Sequence, residues 1–503
     1  MRLNKALFTL LDDLKEIQIS VNKEVPTCEI IDYQPSVHLK ANLRPYQLEG
    51  VKWLIQHYQQ GFGACLADDM GLGKTLQTIA ALLYVKENGA LSTASNATTQ
   101  LNIFEQTYQQ DYYQSLHALI ILPASLVFNW EKELKTFAPH LMRLKYIGSK
   151  RKVHEKLLHR FDVVLTTYQT ALKDKDILKK YQFECIVLDE SQHIKNKSSQ
   201  VFKAINELKA GYKISLSGTP IENSLADIWS QMQFINPTLL GSFNFFQKHF
   251  ITPIEKQRNE LRTEDLRRIV QPFLLRRTKQ AVAKDLPALS TQVVYIDMSE
   301  EQEKIYEREK SAVRNHLLEH YQLGDFTYRS LVLQSLTKLR LIANHPILSV
   351  PTFEGSSGKF SYILHQLDII RKSGHKVLVF SAFTKHLALF EQELMQQGAT
   401  YCKLTGQDSA LQRDKAVEEF QNNSSISTFL ISLKAGGTGL NLTAADYVFI
   451  LDPWWNPNAE DQAIARAHRI GQTRPVFATK FIAKDTIEEK NTHASRPQTP
   501  IGR

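Results

Sequence analysis

The chain has 503 residues, 43% of them apolar, enough for two to four domains with substantial cores, and a net charge of +9 that suits a polyanionic partner. No apolar run is long enough to span a membrane, the N-terminus lacks a signal-peptide core, and Cys28, Cys65, Cys185 and Cys402 are too scattered for a metal or disulfide framework. A membrane-spanning or disulfide-stapled chain is thereby excluded, and a soluble protein of a reducing, intracellular compartment is expected.

Residues 1–38 read as a polar flanking segment with one helical stretch, LNKALFTLLDDLKEI. A first α/β unit is expected over 39–240. It opens with LRPYQLEGVKWL, where Gln47 can donate to and accept from an adenine edge, while Tyr46 and Trp53 suit packing. The stretch CLADDMGLGKTLQT, 65–78, then runs from an apolar strand through two glycines into a helix. Gly71 and Gly73 allow a tight turn whose N–H groups face an anion at a helix N-terminus. Lys74 would reach the β and γ phosphates, and the Thr75 hydroxyl would ligate Mg2+. Asp68 stands where the GxxxxGK[ST] pattern has a glycine, so a plain strand–turn–helix connection is the alternative.

Apolar runs follow at ALIILPA, FDVVLTTY, FECIVLDES and YKISLSGT with helical spacing between them, the rhythm of a doubly wound parallel sheet. A polar surface insertion is expected at about 89–116. Residues 241–355 turn to longer, charged helical stretches and read as a mostly helical linker. Over 356–490 the α/β rhythm returns at VLVFSAF, YCKLTG, STFLISL, DYVFILD and VFATKFIA, giving a second unit without a Lys-Thr phosphate loop. Two such units suggest a composite site. The tail 491–503 is polar, proline-bearing and expected to be disordered.

Chemistry concentrates at a few further points. In VLDESQH a buried strand ends in Asp189 and Glu190, both directed to the crevice beyond its carboxyl end. For ATP hydrolysis Asp189 would hold Mg2+ and Glu190 would orient the attacking water. In LSGTPIEN, Ser217 and Thr219 sit on a Gly/Pro turn from which hydroxyls could sense those carboxylates; a structural turn is the alternative. In DQAIARAHRIGQTRP, Arg466 and Arg469 are three apart, which places them on one face of a helix and suits arginine fingers; a solvated basic helix is the alternative. KAGGTGLNL packs glycines directly after a strand, where backbone must approach a nucleotide, a nucleic-acid strand or a neighbouring helix.

Taken in order, LRPYQLEGVKWL, DDMGLGKTLQT, IILPASLVFNWEKE, LTTYQT, LDESQHIKN, LSGTPIEN, FLLRRTK, KVLVFSAF, ISLKAGGTGLNLTAADYVFILDPWWNP and ARAHRIGQTRPV resemble the motif series of Swi/Snf-type ATPases of helicase superfamily two. The likeness runs from about residue 40 to 490. It implies two RecA-like lobes with ATP in the cleft between them, and a DNA-stimulated ATPase that tracks along double-stranded DNA. It implies that Gln47 reads adenine, Gly71, Gly73, Lys74 and Thr75 hold phosphate and Mg2+, Asp189 and Glu190 are the hydrolytic pair, and Arg466 and Arg469 are fingers. Ser217, Thr219 and Gln192 would couple nucleotide state onward, and Thr166, Thr167, Ser432, Lys434 and Gly436 would lie nearer the DNA backbone.

Two departures stand out. The acidic motif reads DESQ rather than DEAH or DEAQ, which touches only the coupling through Ser191 and Gln192. After IAKDTIEEK the family continues into a helix, whereas NTHASRPQTPIGR carries prolines that prevent one, the expectation being a truncated chain. The expected activity is an ATP-dependent duplex translocase or remodelling ATPase, with a strand-separating DNA or RNA helicase and an impaired ATP- or DNA-binding scaffold as alternatives. Expected partners are double-stranded DNA and a DNA-bound complex such as RNA polymerase. The absence of histone-reading modules favours a bacterial, nucleoid-associated setting over a nuclear one.

Overall fold

A computed structural model describes residues 33–88, 115–218, 224–283, 286–319, 325–436, 440–453 and 457–489. The N-terminal helical stretch, nearly all of the insertion at 89–116, Cys28, Thr219, the two tryptophans after Pro453 and the tail lie outside them. The chain falls into two compact units that divide between residues 284 and 285.

The first unit is a seven-stranded sheet, in the order β3-β4-β2-β5-β6-β1-β7. Its strands are β1 (Ala64–Leu66), β2 (Ala118–Leu122), β3 (Arg143–Lys145), β4 (Val163–Thr167), β5 (Gln182–Leu188), β6 (Lys209–Leu216) and β7 (Leu274–Leu275). Every pairing is parallel. Strand alternation divides the apolar runs between two faces. Leu119, Ile121, Ile186 and Leu188 join one core, while Ala118, Ile120, Leu122, Cys185 and Val187 join the other. Helices α1 (Pro45–Gln60), α2 (Lys74–Asn88) and α3 (Val127–Phe137) cover the second face through Leu54, Ile79 and Trp130. Helices α4 (Tyr168–Lys173), α5 (Leu225–Ile235) and α6 (Glu260–Val270) cover the first through Tyr168, Met232 and Leu266. Burial on both faces is why β2, β4 and the second half of β5 read as continuous apolar runs.

The second unit is a six-stranded parallel sheet in the order β10-β11-β9-β12-β13-β8. It comprises β8 (Leu289–Ile296), β9 (Val377–Ser381), β10 (Tyr401–Leu404), β11 (Thr428–Ser432), β12 (Tyr447–Ile450) and β13 (Val476–Ala483). Helices α7 (Glu300–Glu319) and α8 (Asp325–Asn344) pair through Tyr306, Leu339 and Ile342. Helices α9 (Gly358–Lys372) and α10 (Thr384–Gln396) bury Ile363, Leu367, Leu387 and Phe390 on one face of the sheet. On the other face α11 (Ala410–Asn422) contributes Phe420, and α12 (Pro457–Ile464) contributes Ala463 and Ile464. Both units thus have the doubly wound, RecA-like layout expected.

Residues 241–355, read from sequence as one helical linker, carry a strand for each sheet. β7 completes the first sheet and β8 the second, with the division between units inside the stretch. β7 is only two residues long, and β8 is a polar edge strand, mostly exposed, so neither shows an apolar run. A buried cluster joins the end of α8, the start of α9 and the segment after β13. Lys359 Nζ donates to both carboxylate oxygens of Glu488, at 3.0 and 2.8 Å, and to Asn344 Oδ1 at 2.9 Å.

Candidate functional site: the loop after β1 and the acids after β5

Residues 67–73 leave β1 at the carboxyl end of the sheet and enter α2 at Lys74. Gly71 and Gly73 have φ of 88° and 76°, the left-handed conformation their lack of a Cβ permits. At Gly73 a Cβ would lie 2.5 Å from Gln47 Nε2, so this glycine also makes room for α1. The carbonyl of Leu72, between the glycines, accepts from Tyr46 Oη at 3.0 Å, Gln47 Nε2 at 3.2 Å and Gln77 Nε2 at 3.4 Å. Gln47 itself is buried, and its Oε1 accepts the N–H of Arg44 at 3.0 Å, capping α1. The loop is thus held from one side by the start of α1 and from the other by the first turn of α2.

Lys74 Nζ donates to the carbonyl of Asp68 at 2.6 Å. Burial pushes its ammonium below the usual lysine range, opposed by the carboxylates of Glu190, Asp189, Asp68 and Asp69. β1 and β5 both pair in parallel with β6, so the loop bearing Lys74 and the acidic pair leave the same carboxyl edge of the sheet one strand apart. Thr75 is half-buried in the first turn of α2.

Asp189 is clamped. Trp130 Nε1 donates to Oδ2 at 2.7 Å, the N–H of Glu190 donates to Oδ1 at 2.9 Å, and Tyr168 Oη donates to its carbonyl at 2.8 Å. Burial, then the charge of Glu190, raises its carboxyl well above the ordinary range, against the Trp130 donor and Lys74. Glu190 has φ of 50°, a strained value for a residue with a Cβ, and its Oε2 accepts from Gln192 Nε2 at 2.9 Å. Ser191 is fully buried, its hydroxyl near Gln231 Oε1 at 3.5 Å. Ser217, at the end of β6, is buried and its N–H donates to the Leu66 carbonyl at 3.2 Å.

The residues expected near DNA differ in what they offer. Thr166 is completely buried and its hydroxyl donates to the Tyr146 carbonyl at 2.9 Å, so it faces the sheet interior. Thr167 caps α4, accepting the Thr170 N–H at 3.1 Å. Ser432 is buried and accepts the Ala435 N–H at 3.3 Å, capping the short helix Leu433–Gly436, on which Lys434 is exposed.

Arg466 and Arg469 do not share a helix face. α12 ends at Ile464, and the chain continues in turns closed by Arg466 N–H to Ala463 O and Ala467 N–H to Ile464 O, at 3.2 and 3.1 Å. Beyond the helix end Gln472 Nε2 donates to the carbonyls of Ala467 and Ala445 at 3.1 and 2.8 Å and holds the non-helical path of the chain. Arg466 is buried, and Arg469 Nη1 donates to the Leu440 carbonyl at 3.1 Å.

Four residues that hold the loop or the acidic pair were not singled out from sequence: Trp130, Tyr168, Gln77 and Arg277. A buried carboxylate at Asp68 was the available signal, since a charge in a strand-end loop requires a partner. That partner is Arg277, just beyond β7.

A model of the SNF2-related domain matches residues 46–348, and one of the helicase conserved C-terminal domain matches 358–471. The chain is 38% identical over 487 residues to the putative ATP-dependent helicase/translocase YwqA of Bacillus subtilis, covering 95% of this chain and 50% of that one. It is 34% identical over 474 residues to a probable chromatin-remodeling complex ATPase chain of Oryza sativa subsp. japonica, covering 91% and 40%. A solved Sulfolobus solfataricus SWI2/SNF2 ATPase core in complex with dsDNA aligns with 37% identity over 92% of each chain and a TM-score of 0.47. The chain spans half or less of the length of these two curated relatives. With the SNF2-related match covering well over half of its residues, the chain belongs to the SNF2-related family.

Proposed function

We propose that the chain is an ATP-dependent translocase or remodelling ATPase acting on double-stranded DNA, hydrolysing ATP to ADP and phosphate to move along the duplex and displace or remodel bound proteins. The observation that carries this reading is the meeting, at the strand ends of the first unit, of a glycine-turned loop with Lys74 and the clamped pair Asp189 and Glu190. The Bacillus subtilis relative's description as a putative ATP-dependent helicase/translocase supports it.

In this reading the loop N–H groups and Lys74 bind the β and γ phosphates, and binding pulls Lys74 Nζ from the Asp68 carbonyl. Gln47, fixed against Leu72, reads the adenine edge with its remaining N–H. Mg2+ would neutralise phosphate charge, and Thr75 with Asp189 would hold it. Among the described residues no three His, Cys, Asp or Glu side chains form a metal cage. Glu190, held by Gln192, would orient the attacking water and take its proton. Arg466 and Arg469 would stabilise charge on the transferred phosphoryl group, and Ser217, Thr219 and Gln192 would pass on nucleotide state. Lys434, Thr167 and the Gly436 backbone are the better-placed candidates for DNA phosphates, and a grip of that kind is weak in sequence preference and strong in salt dependence.

The test is steady-state ATP hydrolysis with duplex DNA, single-stranded DNA and RNA, using Lys74→Ala and Arg469→Ala as controls. Stimulation by duplex above the other two, lost in both variants, supports the proposal, and triplex displacement then tests movement. ATP binding with little turnover under every ligand overturns it.

A further inference from the structure

The first unit holds a second charged constellation that the hydrolytic roles leave unused. Asp68 occupies a position that is glycine in the general phosphate-loop pattern, and its carboxylate is fully buried. A bare anion there would repel the phosphates that the loop is to bind. In the structure it is not bare. Arg277 closes a fork on it, with Nε on Oδ1 at 2.9 Å and Nη2 on Oδ2 at 2.5 Å, and the Arg277 N–H adds a third bond to Oδ1 at 3.1 Å. Nη2 also donates to Gln77 Oε1 at 2.8 Å, and Nη1 donates to the Tyr46 carbonyl. Gln77 Nε2 completes the ring, 3.3 Å from Asp68 Oδ2.

The backbone repeats the connection. Ala67 N–H donates to Leu275 O at 2.7 Å, Asp69 N–H to Arg277 O at 3.0 Å, and Lys279 N–H to Asp69 Oδ2 at 3.0 Å. Space is reserved for the guanidinium as well. A Cβ on Gly50 of α1 would lie 2.0 Å from Gln77 Oε1 and 2.7 Å from Arg277 Nη2. One arginine therefore joins the loop, the residue preceding Gln47, and the first turns of α2.

We propose that Arg277 is a positioning residue of the nucleotide site: by pairing with Asp68 it cancels a built-in negative charge and fixes the loop for a triphosphate. This rests on the reading of the loop as an ATP site. The fully buried carboxylate in turn anchors Arg277, so loop geometry depends on the segment that follows β7. A bidentate fork makes the arrangement specific for arginine in geometry, while its charge is what the phosphates feel.

Charge cancellation makes predictions that a packing role does not. Full-length protein and variants are titrated with ATP and with adenosine, the folded state of each being checked by circular dichroism. Arg277→Gln should weaken ATP about tenfold or more while adenosine changes little, because the exposed charge acts on phosphates alone. Asp68→Asn should keep or increase the preference for ATP over adenosine, and the double variant Asp68→Asn/Arg277→Gln should recover most of the ATP affinity lost in Arg277→Gln. Where Arg277→Gln does not fold, Arg277→Lys replaces it and should retain the ATP preference. Equal weakening of both ligands in the single variants, or no recovery in the double, overturns the inference. Wild-type protein without a preference for ATP over adenosine overturns the nucleotide reading and the inference together, whereas a preference that Arg277→Gln keeps overturns the inference alone.

Discussion

The indole N–H of Trp130, buried in α3, donates to Asp189 Oδ2 at 2.7 Å, so a core side chain of the sheet's packing layer aims a carboxylate of the acidic pair. Trp130→Phe keeps an aromatic ring and deletes the donor. A hydrogen bond to a charged group is worth about 1.5–3 kcal/mol, so ATP turnover should fall about tenfold or more. Because the orientation of Asp189 is what changes, the Mg2+ concentration for half-maximal turnover should rise while ATP binding measured without Mg2+ stays within about twofold. Steady-state rates across a Mg2+ titration check this.

Lys74 rests on the Asp68 carbonyl and lies in the field of four carboxylates. Lys74→Ala removes the cation and its bond to the Asp68 carbonyl. We expect turnover to drop about 100-fold or more, the scale seen on deleting a preorganised charge, with unfolding temperature within a few degrees of wild type. Paired ATPase and thermal-melt measurements separate the two effects.

The Lys359–Glu488 pair has no solvent to share its charges, with side chains 1% and 0% exposed. Glu488→Gln leaves Lys359 buried with reduced compensation and should cost about 3–5 kcal/mol of stability. The double variant Lys359→Met/Glu488→Leu removes both charges and should recover much of that loss. Urea denaturation of the full chain, followed by a probe in the second unit, reads the difference.

His345 is one of several buried groups that make stability depend on pH. It is buried, its Nδ1 accepts the Ile347 N–H at 3.3 Å, and burial, with His386 nearby, pushes its pKa down from 6.5 to about 4. The unfolded chain therefore binds a proton between those values that the folded chain refuses. Stability contributed by the neutral ring is fully present above pH 6.5 and lost as pH falls towards 4, by about 3 kcal/mol at most. His345→Asn, which retains an acceptor for the Ile347 N–H, should flatten the stability profile in that window.

How far the molecule could be read in its sequence followed from how local each signal was. The central strands of both sheets announced themselves because they are buried on two faces and written in consecutive apolar residues, as in ALIIL and VLVFS. The loop glycines were legible because positive φ has few authors among amino acids. β7 was invisible for the opposite reason, being two leucines whose meaning lies in a neighbour more than 200 positions earlier. Trp130 looked like packing and is packing, and only its N–H gives it a second task. The shared helix face expected for Arg466 and Arg469 failed because a three-residue spacing implies one only while the helix lasts, and this helix ends at Ile464.

The pairing of Asp68 with Arg277 also sets a timetable for biosynthesis. The two are 209 positions apart, and at about 5–20 residues per second a ribosome needs roughly 10–40 s to make the second after the first. Throughout that interval the nascent loop carries an acid with no counterion, and β1 lacks its outer neighbour. The loop after β1 is thus among the last parts of its unit to be finished, and the surface proposed to bind ATP cannot mature on the emerging chain until the residue after Arg276 has cleared the exit tunnel.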